Sequence, residues 1–349
     1  MLRQVFVAIL AVTLVAAPAL ALAASSPAAI PAEHVRLFYY RDSPKALASL
    51  KKNYRSIDVL APQSYRLDGA GNLTGEPPKK ALRFAKTKGI AVVPLVTNGA
   101  FDAAAVSIFL EDSEARTEAI SAMVTEAEKR GYAGWQIDFE QMNVSLRDHF
   151  SAFVGEAATA MRVGGLFLSV AVVSKISDNP SDYPNDLWQN LIGVFDYAAL
   201  GESADFVSLM SYDEPYKTGP VAPYPWLLRV LDYALDKIPP EKISLGIPLY
   251  YWEREDKPLG RIMEIGGASG IAEAKQERRA KTGYDETMET AFVRYSAAKK
   301  DSRVVWFENR RSIEAKLNLA NLHSLHGISA WALGLELPET HRAFAGWGR

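Results

Sequence analysis

Apolar, β-rich runs alternate with amphipathic stretches along almost the whole chain. Runs such as IAVVPLV and LFLSVAVV are nearly continuous in apolar residues, as expected of parallel strands that are buried on both faces. The stretches between them have helical spacing and often end at a glycine or a proline. This pattern predicts strands at 35–41, 57–67, 90–98, 134–140, 166–175, 205–213, 243–252 and 327–334, with one of the helices around 186–203.

Strands that alternate with helices predict an α/β protein, and eight such units predict a (β/α)8 TIM barrel over 33–349. A doubly wound open sheet is the alternative. No glycine-rich phosphate loop follows the first strand, which argues against a dinucleotide-binding version of that sheet. The segment between the seventh and eighth strands is too long for a usual connection, and we predict a small α+β insertion at about 253–308.

The first residues differ from the rest of the chain. Arg3 precedes an apolar run, and small residues with ALA and LAA triplets follow Pro18. This order predicts a signal peptide over residues 1–24. An uncleaved anchor is the alternative, although the run is near the short limit for a membrane span. We therefore expect a soluble protein that is secreted or lies in the periplasm or cell envelope.

Charge and composition exclude several classes of function. The net charge is −2 without a basic stripe, so nucleic acid is not an expected partner. The absence of cysteine from the sequence excludes disulfides, thiolate metal sites and cysteine nucleophiles. The five histidines are dispersed, and we expect no metal, no cofactor and a monomer.

The segment GWQIDFEQ, at 134–141, carries the strongest candidate chemistry. Its aromatic and aliphatic residues alternate with Gln136, Asp138 and Glu140, so a strand would place these three on one face. A half-exposed strand with a solvated polar face would give the same pattern. In a barrel, however, that face points inward, and Glu140 comes last, at the end where active sites form. Two acids so placed should share a proton or have separated pKa values, which keeps one protonated for general-acid catalysis.

Three further residues near predicted strand ends are candidates for the lining of a binding pocket. Tyr250 follows GIPL near the end of the seventh strand, and Gln63 and Asn98 lie toward the ends of the second and third. Aromatic rings and a few placed polar groups commonly line ligand pockets. For Tyr250, ordinary core packing is the alternative.

Four segments, in order along the chain, resemble glycoside hydrolase family 18, the family of chitinases and related enzymes. GWQIDFE resembles its strand-four signature, LMSYD (209–213) its Met-x-Tyr-Asp segment and GISAWALG (327–334) its strand-eight segment. KISLGIPLYYW and the run from VVWFENRR onward are similar to the branch of spore-cortex lytic and germination-type N-acetylglucosaminidases. The resemblance covers about 35–346.

The resemblance implies an exported glycosidase that cleaves β-1,4 bonds at N-acetylglucosamine in peptidoglycan or chitin-like glycans. It implies substrate-assisted retention, in which the 2-acetamido group of the substrate is the nucleophile. Glu140 would protonate the glycosidic oxygen, and Asp138 would hold the acetamido N–H. Tyr212 would bind the acetamido carbonyl, Asp213 would shape the same pocket, and Trp331 would stack under the sugar.

Two positions depart from the pattern of the family. Ala133 stands where the family usually has Asp, and Gln136 where it has Asp or Asn. Gln136 can donate a hydrogen bond to Asp138 but cannot share a proton with it, so we expect altered proton cycling without loss of activity. A non-catalytic glycan-binding protein on the same barrel is the alternative function. Its usual mark is loss of the acid, and Glu140 is present.

Overall fold

The computed structural model describes residues 28–99, 101–216, 219–298 and 301–348. The strands are β1 (Val35–Tyr40), β2 (Val59–Leu67), β3 (Leu73–Gly75), β4 (Ala91–Val92), β5 (Leu95–Thr97), β6 (Gly134–Asp138), β7 (Phe167–Val173), β8 (Phe206–Met210), β9 (Ile243–Pro248), β10 (Tyr251–Glu255), β11 (Ile262–Gly266), β12 (Lys281–Asp285), β13 (Thr290–Ala298), β14 (Asp301–Phe307) and β15 (Gly327–Trp331). The helices are α1 (Pro44–Asn53), α2 (Lys79–Lys88), α3 (Ala103–Glu111), α4 (Ser113–Arg130), α5 (Arg147–Val163), α6 (Asn185–Leu187), α7 (Tyr197–Ser203), α8 (Tyr224–Lys237), α9 (Ala268–Ala274), α10 (Arg310–Leu322) and α11 (Thr340–Gly346).

Eight parallel strands close into a barrel. Their order is β1-β15-β9-β8-β7-β6-β5-β2, and β2 pairs back onto β1. Because β1 has hydrogen-bonded neighbours on both sides, the sheet has no open edge there. The predicted (β/α)8 TIM barrel is confirmed, and the alternative of an open sheet is wrong.

Strand β6 separates its two faces as the alternation predicts. Trp135 and Ile137 are fully buried in the apolar layer between strands and helices, where the Trp135 indole N–H donates to the Met123 carbonyl of α4 at 2.9 Å. Gln136 and Asp138 point into the barrel and are also buried. The acids therefore lie on the inner face, away from the surrounding helices.

Helices α2 and α4 end at glycines that turn the chain toward the next strand. Gly89 has φ 67° and Gly131 has φ 69°, and the N–H of each donates back to the last helical turn. This left-handed conformation costs glycine little, which explains why both helices end there. The chain then enters β4 and β6, so these turns fix where the neighbouring strands begin.

The connection between β9 and β15 contains a separate five-stranded antiparallel sheet. Its strand order is β11-β10-β14-β13-β12. Its apolar core combines residues of the sheet with residues of α9, among them Tyr251, Ile271, Val293, Val305 and Phe307. Helix α10 follows the sheet and completes the last unit of the barrel.

Several predicted elements differ from the structure at their ends. The seventh strand was expected to reach residue 252, but β9 ends at Pro248, and Tyr251 begins the inserted sheet. The third strand is divided because Pro94 has no N–H to donate to the ladder. The helix expected around 186–203 is interrupted after a π-helical turn at Trp188–Ile192, and the Asp196 side chain caps a new helix, α7.

Strands β8 and β15 end three residues before the predicted ends at 213 and 334. Apolar residues continue past the hydrogen-bonded ladder in both cases, so the pattern alone overestimates their length. As a result, Tyr212 and Asp213 lie in the loop after β8, at the carboxyl end of the barrel, while Trp331 is the last residue of β15.

The predicted signal peptide, residues 1–24, lies outside the described residues. Within the part of the chain that the structure describes, we find no helix whose length and apolar character would let it cross a membrane.

Candidate active site

Three carboxylates gather at the carboxyl ends of the barrel strands. Asp138 ends β6 and is only 3% exposed, while Glu140 follows it in the loop and is partly exposed. Asp213 lies after β8, where its φ of 59° is in the left-handed region that a non-glycine residue rarely adopts. The arrangement places an accessible acid, Glu140, between a buried acid and a second loop acid.

The electrostatics of this cluster favour bound protons. Burial, with repulsion from Glu140, raises the pKa of Asp138 to about 8. Burial and the charge of Asp213 raise the pKa of Glu140. Asp213 is exposed, but partial loss of its solvation raises its pKa, and a hydrogen bond from Tyr250 opposes that shift. Among the described residues no lysine or arginine forms an ion pair with these acids, so no neighbouring cation offsets these upward shifts in pKa.

A cluster of this kind can carry out general acid catalysis. A carboxyl group that stays protonated near neutral pH can donate to a leaving group and then act as a base. Glu140 has the access to solvent that a donor to substrate needs, whereas Asp138 lies behind it. Because the two acids interact, their protons leave in steps that belong to the pair.

Asn98 holds the backbone of Glu140 rather than facing a ligand. Its amide nitrogen donates to the Glu140 carbonyl at 2.8 Å, and its amide oxygen accepts from the Glu140 N–H at 3.1 Å. The side chain is 3% exposed. In this structure the amide is occupied in positioning the candidate acid, and contact of Asn98 with substrate stays a prediction.

Gln136 also differs from its predicted contact. It is fully buried in the barrel, and its amide nitrogen donates to the hydroxyls of Ser169 at 3.1 Å and Ser208 at 2.9 Å. The amide nitrogen therefore bonds to the two serines and not to Asp138, and contact of Gln136 with substrate stays a prediction. The serine hydroxyls were missed in the sequence, although a lone polar residue in each of the runs FLSVAVV and FVSLM was a usable signal.

An aromatic cluster lies beside the acids. Tyr212 and Tyr250 pack edge to face with ring centroids 6.3 Å apart, and partly exposed Trp331 packs against this cluster. Trp331 also contacts the ring of Tyr39 at 4.9 Å, and the buried Tyr39 hydroxyl is close enough to Asp138 for its charge to raise the tyrosine pKa. Tyr250 donates its hydroxyl proton to Asp213 at 2.5 Å. The structure thus brings Tyr212, Tyr250, Asp213 and Trp331 together beside the acids.

Gln63 lies on β2, where it is paired in register with Leu95 of β5. It is partly exposed and lines a cavity together with Thr97. No group of three or more metal-binding side chains is found in the described ranges.

The closed parallel barrel, with acids and aromatic rings at the carboxyl ends of its strands, defines a TIM-barrel enzyme. Comparison with known proteins narrows this class. The family model for Glycosyl hydrolases family 18 matches residues 56–336. The chain therefore belongs to this family and is a glycosidase, which confirms the family predicted from its motifs.

Individual relatives agree with this assignment. The chain is 29% identical over 298 residues to an uncharacterized glycosylase, YvbX, of Bacillus subtilis (strain 168), covering 82% of this chain and 84% of that protein. It is 30% identical over 296 residues to the cortical fragment-lytic enzyme of the same organism, covering 81% of this chain but only 66% of that enzyme. The crystal structure of a chitinase from Chromobacterium violaceum ATCC 12472 matches with a TM-score of 0.79 and 28% identity, over 90% of this chain and 99% of that one. These relatives are consistent with the predicted spore-cortex lytic branch.

Proposed function

We propose that this glycosidase cleaves β-1,4 bonds at N-acetylglucosamine by substrate-assisted retention, and that it acts on peptidoglycan outside the cytoplasm. The observation that carries the proposal is the pairing of a buried, proton-retaining Asp138 at the end of β6 with an accessible Glu140 in the loop that follows. Glu140 protonates the glycosidic oxygen of the leaving sugar. Asp138 holds the N–H of the 2-acetamido group, whose carbonyl oxygen attacks the anomeric carbon.

The placement of the acids supports a nucleophile supplied by the substrate. In the two-carboxylate mechanisms the acids flank the scissile bond from opposite sides. Here both acids come from β6 and its following loop, and Asp138 is buried behind Glu140. Such an arrangement leaves the far side of the sugar without a carboxylate from this strand. The acetamido oxygen of the substrate therefore acts as the nucleophile on that side.

The aromatic cluster supplies the sugar-binding surface of the proposal. Trp331 stacks under the sugar ring, and the Tyr212 hydroxyl binds the acetamido carbonyl. Asp213 and Tyr250, joined by their hydrogen bond, shape the wall of the same pocket. Gln63 lines the groove further along β2. Asn98 and Gln136 take supporting positions behind these contacts.

Peptidoglycan is favoured over chitin by the relatives. One of them is named a cortical fragment-lytic enzyme, although this chain covers only two thirds of its length. A neutral chitin-like glycan is the other substrate to compare, because the solved structure with 28% identity is a chitinase. Export is supported by the signal peptide predicted in the sequence.

Mass spectrometry of the products from purified peptidoglycan and from N-acetylglucosamine oligomers tests the proposal. The wild type should release products with a reducing N-acetylglucosamine end, and Glu140→Gln should release none while still binding the glycan. Glu128→Gln, an exposed acid on α4, is the matched control and should behave as the wild type. Binding without any product from the wild type would instead support the non-catalytic glycan-binding protein.

A further inference from the structure

A cavity of about 680 Å³ opens along β2 and β5. Its walls include side chains of both strands and of the segments after β3 and β5, among them Gln63, Ser64, Arg66, Glu76, Thr97 and Phe101. A cavity of this size can hold a sugar unit with a substituent. Apart from Gln63, which lines the proposed groove, these side chains have no role in the proposed function.

The strand register connects this cavity to the acids. Arg66 of β2 is paired with Thr97 of β5, which is in turn paired with Asp138 of β6. Neighbouring strands lie about 5 Å apart, so the backbone of Arg66 is roughly 10 Å from that of Asp138 along the rim of the barrel. This separation is close to the length of a disaccharide, so a glycan that reaches Glu140 can also reach the cavity.

Arg66 is an exposed cation available to a ligand. Its guanidinium forms no ion pair or side-chain hydrogen bond with any residue that the structure describes, and this includes Glu76 in the same cavity. Arg36, one strand away, instead forms a two-point ion pair with Asp58, with a shortest distance of 2.7 Å. A guanidinium left unpaired beside a groove can bind a carboxylate through two parallel hydrogen bonds.

Phe101 adds an aromatic surface to the same cavity. It is partly exposed, and its φ of 60° is in the left-handed region, which is unfavourable for a bulky residue. Local strain of this kind is found at functional sites more often than elsewhere. The ring gives a sugar an apolar face to pack on, next to the charge of Arg66.

We propose that this cavity is a glycan subsite for a sugar that carries a carboxylate, with Arg66 pairing with the carboxylate. The inference rests on the proposed function and specifies its substrate. The unpaired guanidinium attracts an anionic substituent of the glycan. Chitin is neutral, but peptidoglycan carries carboxylates on its lactyl ethers and on its peptide stems.

The test compares kcat/KM on three substrates: peptide-free glycan strands that retain the lactyl carboxylate, strands with peptide stems, and neutral N-acetylglucosamine oligomers of equal length. Arg66→Gln should lower the ratio of anionic to neutral kcat/KM about ten-fold, through KM. Arg83→Gln on α2, an exposed arginine outside the cavity, is the matched control and should leave the ratio unchanged. If Arg66→Gln lowers kcat/KM on peptide-free strands, Arg66 binds the lactyl carboxylate. If kcat/KM falls only on strands with peptide stems, Arg66 binds a carboxylate of the peptide.

The proposed subsite would be wrong if Arg66→Gln lowered kcat/KM equally on anionic and neutral substrates, or did not lower it at all. A binding measurement by calorimetry separates this failure from that of the proposed function. If the wild type cleaves none of the three glycans, hydrolysis is wrong, but the subsite stands if Arg66→Gln weakens the binding of anionic strands to the Glu140→Gln protein. If Arg66→Gln does not weaken the binding of anionic strands to the Glu140→Gln protein, the subsite is wrong as well.

Discussion

The side chain of Asn98 extends the ladder between β5 and β6 by one residue and thereby fixes the backbone of Glu140. The last backbone pair of the ladder is Thr97 with Asp138. Beyond it, the Asn98 amide donates to the Glu140 carbonyl and accepts from its N–H, as a further strand residue would. The candidate acid is thus held from a neighbouring strand, although it lies outside regular structure itself.

Replacing Asn98 should impair turnover more than binding. Asn98→Ala removes both hydrogen bonds to Glu140, so the acid loses its fixed position, and we expect kcat to fall about 10- to 100-fold with a smaller change in KM. Loss of the two bonds should also lower the free energy of unfolding by about 1–3 kcal/mol. Steady-state kinetics and urea unfolding measure the two effects separately.

Asn98→Asp is the informative companion to this variant. The aspartate can still accept from the Glu140 N–H, but it cannot donate to the carbonyl, and it adds a carboxylate to the acidic cluster. We expect a raised pKa of Glu140, seen as a displaced pH profile of kcat/KM. An unchanged profile together with a loss of stability alone would show that Asn98 is only structural.

Activity should decrease as the pH rises beyond about 8. The pKa of Asp138 is raised to about 8, and that of Glu140 is also raised, so the pair retains a proton below this pH and loses it above. In Glu140→Gln, the pKa of Asp138 should fall but stay above 3.8, because burial, the larger cause, remains. The pH dependence of kcat/KM and NMR titration of the Asp138 carboxyl measure these shifts, and a pKa near 3.8 in the wild type would contradict them.

The same pKa shift predicts how stability depends on pH. A carboxyl whose pKa is higher in the folded than in the unfolded state binds more protons when folded, so it reduces stability as the pH rises from about 4 to about 8. Asp138→Asn removes this cost and should raise the free energy of unfolding at pH 8 by about 1–3 kcal/mol, with little gain at pH 4. Chemical unfolding at both pH values measures the difference, and equal effects would argue against a buried, proton-retaining Asp138.

The fold and the faces of β6 could be predicted because they depend on local pattern. Continuous apolar runs require strands that are buried on both faces, and strict alternation places Asp138 and Glu140 together. The partners of Asn98 and Gln136 depend on the register between strands far apart in sequence, which no local pattern contains. Strand ends were overestimated because apolar residues such as Tyr212 continue beyond the last ladder bond and pack in loops.

The hydrogen bond from Tyr250 to Asp213 links the aromatic cluster to the acid. It lowers the pKa of Asp213, whose negative charge in turn raises the pKa of Glu140. Tyr250→Phe should therefore keep Asp213 protonated to higher pH, lower the pKa of Glu140 and move the alkaline decrease in kcat/KM to lower pH.

The matched control for this variant is Tyr251→Phe. The Tyr251 hydroxyl donates at 2.6 Å to Glu264 in the inserted sheet, so its loss removes a similar bond without touching the acids. We expect Tyr250→Phe to reduce kcat/KM about ten-fold at pH 7, in line with about 1.5 kcal/mol for a hydrogen bond to a charged group, and Tyr251→Phe to leave the pH profile unchanged. If both variants shift the profile equally, the effect comes from general loosening of the loop after β9, and the link from Tyr250 through Asp213 to Glu140 is wrong.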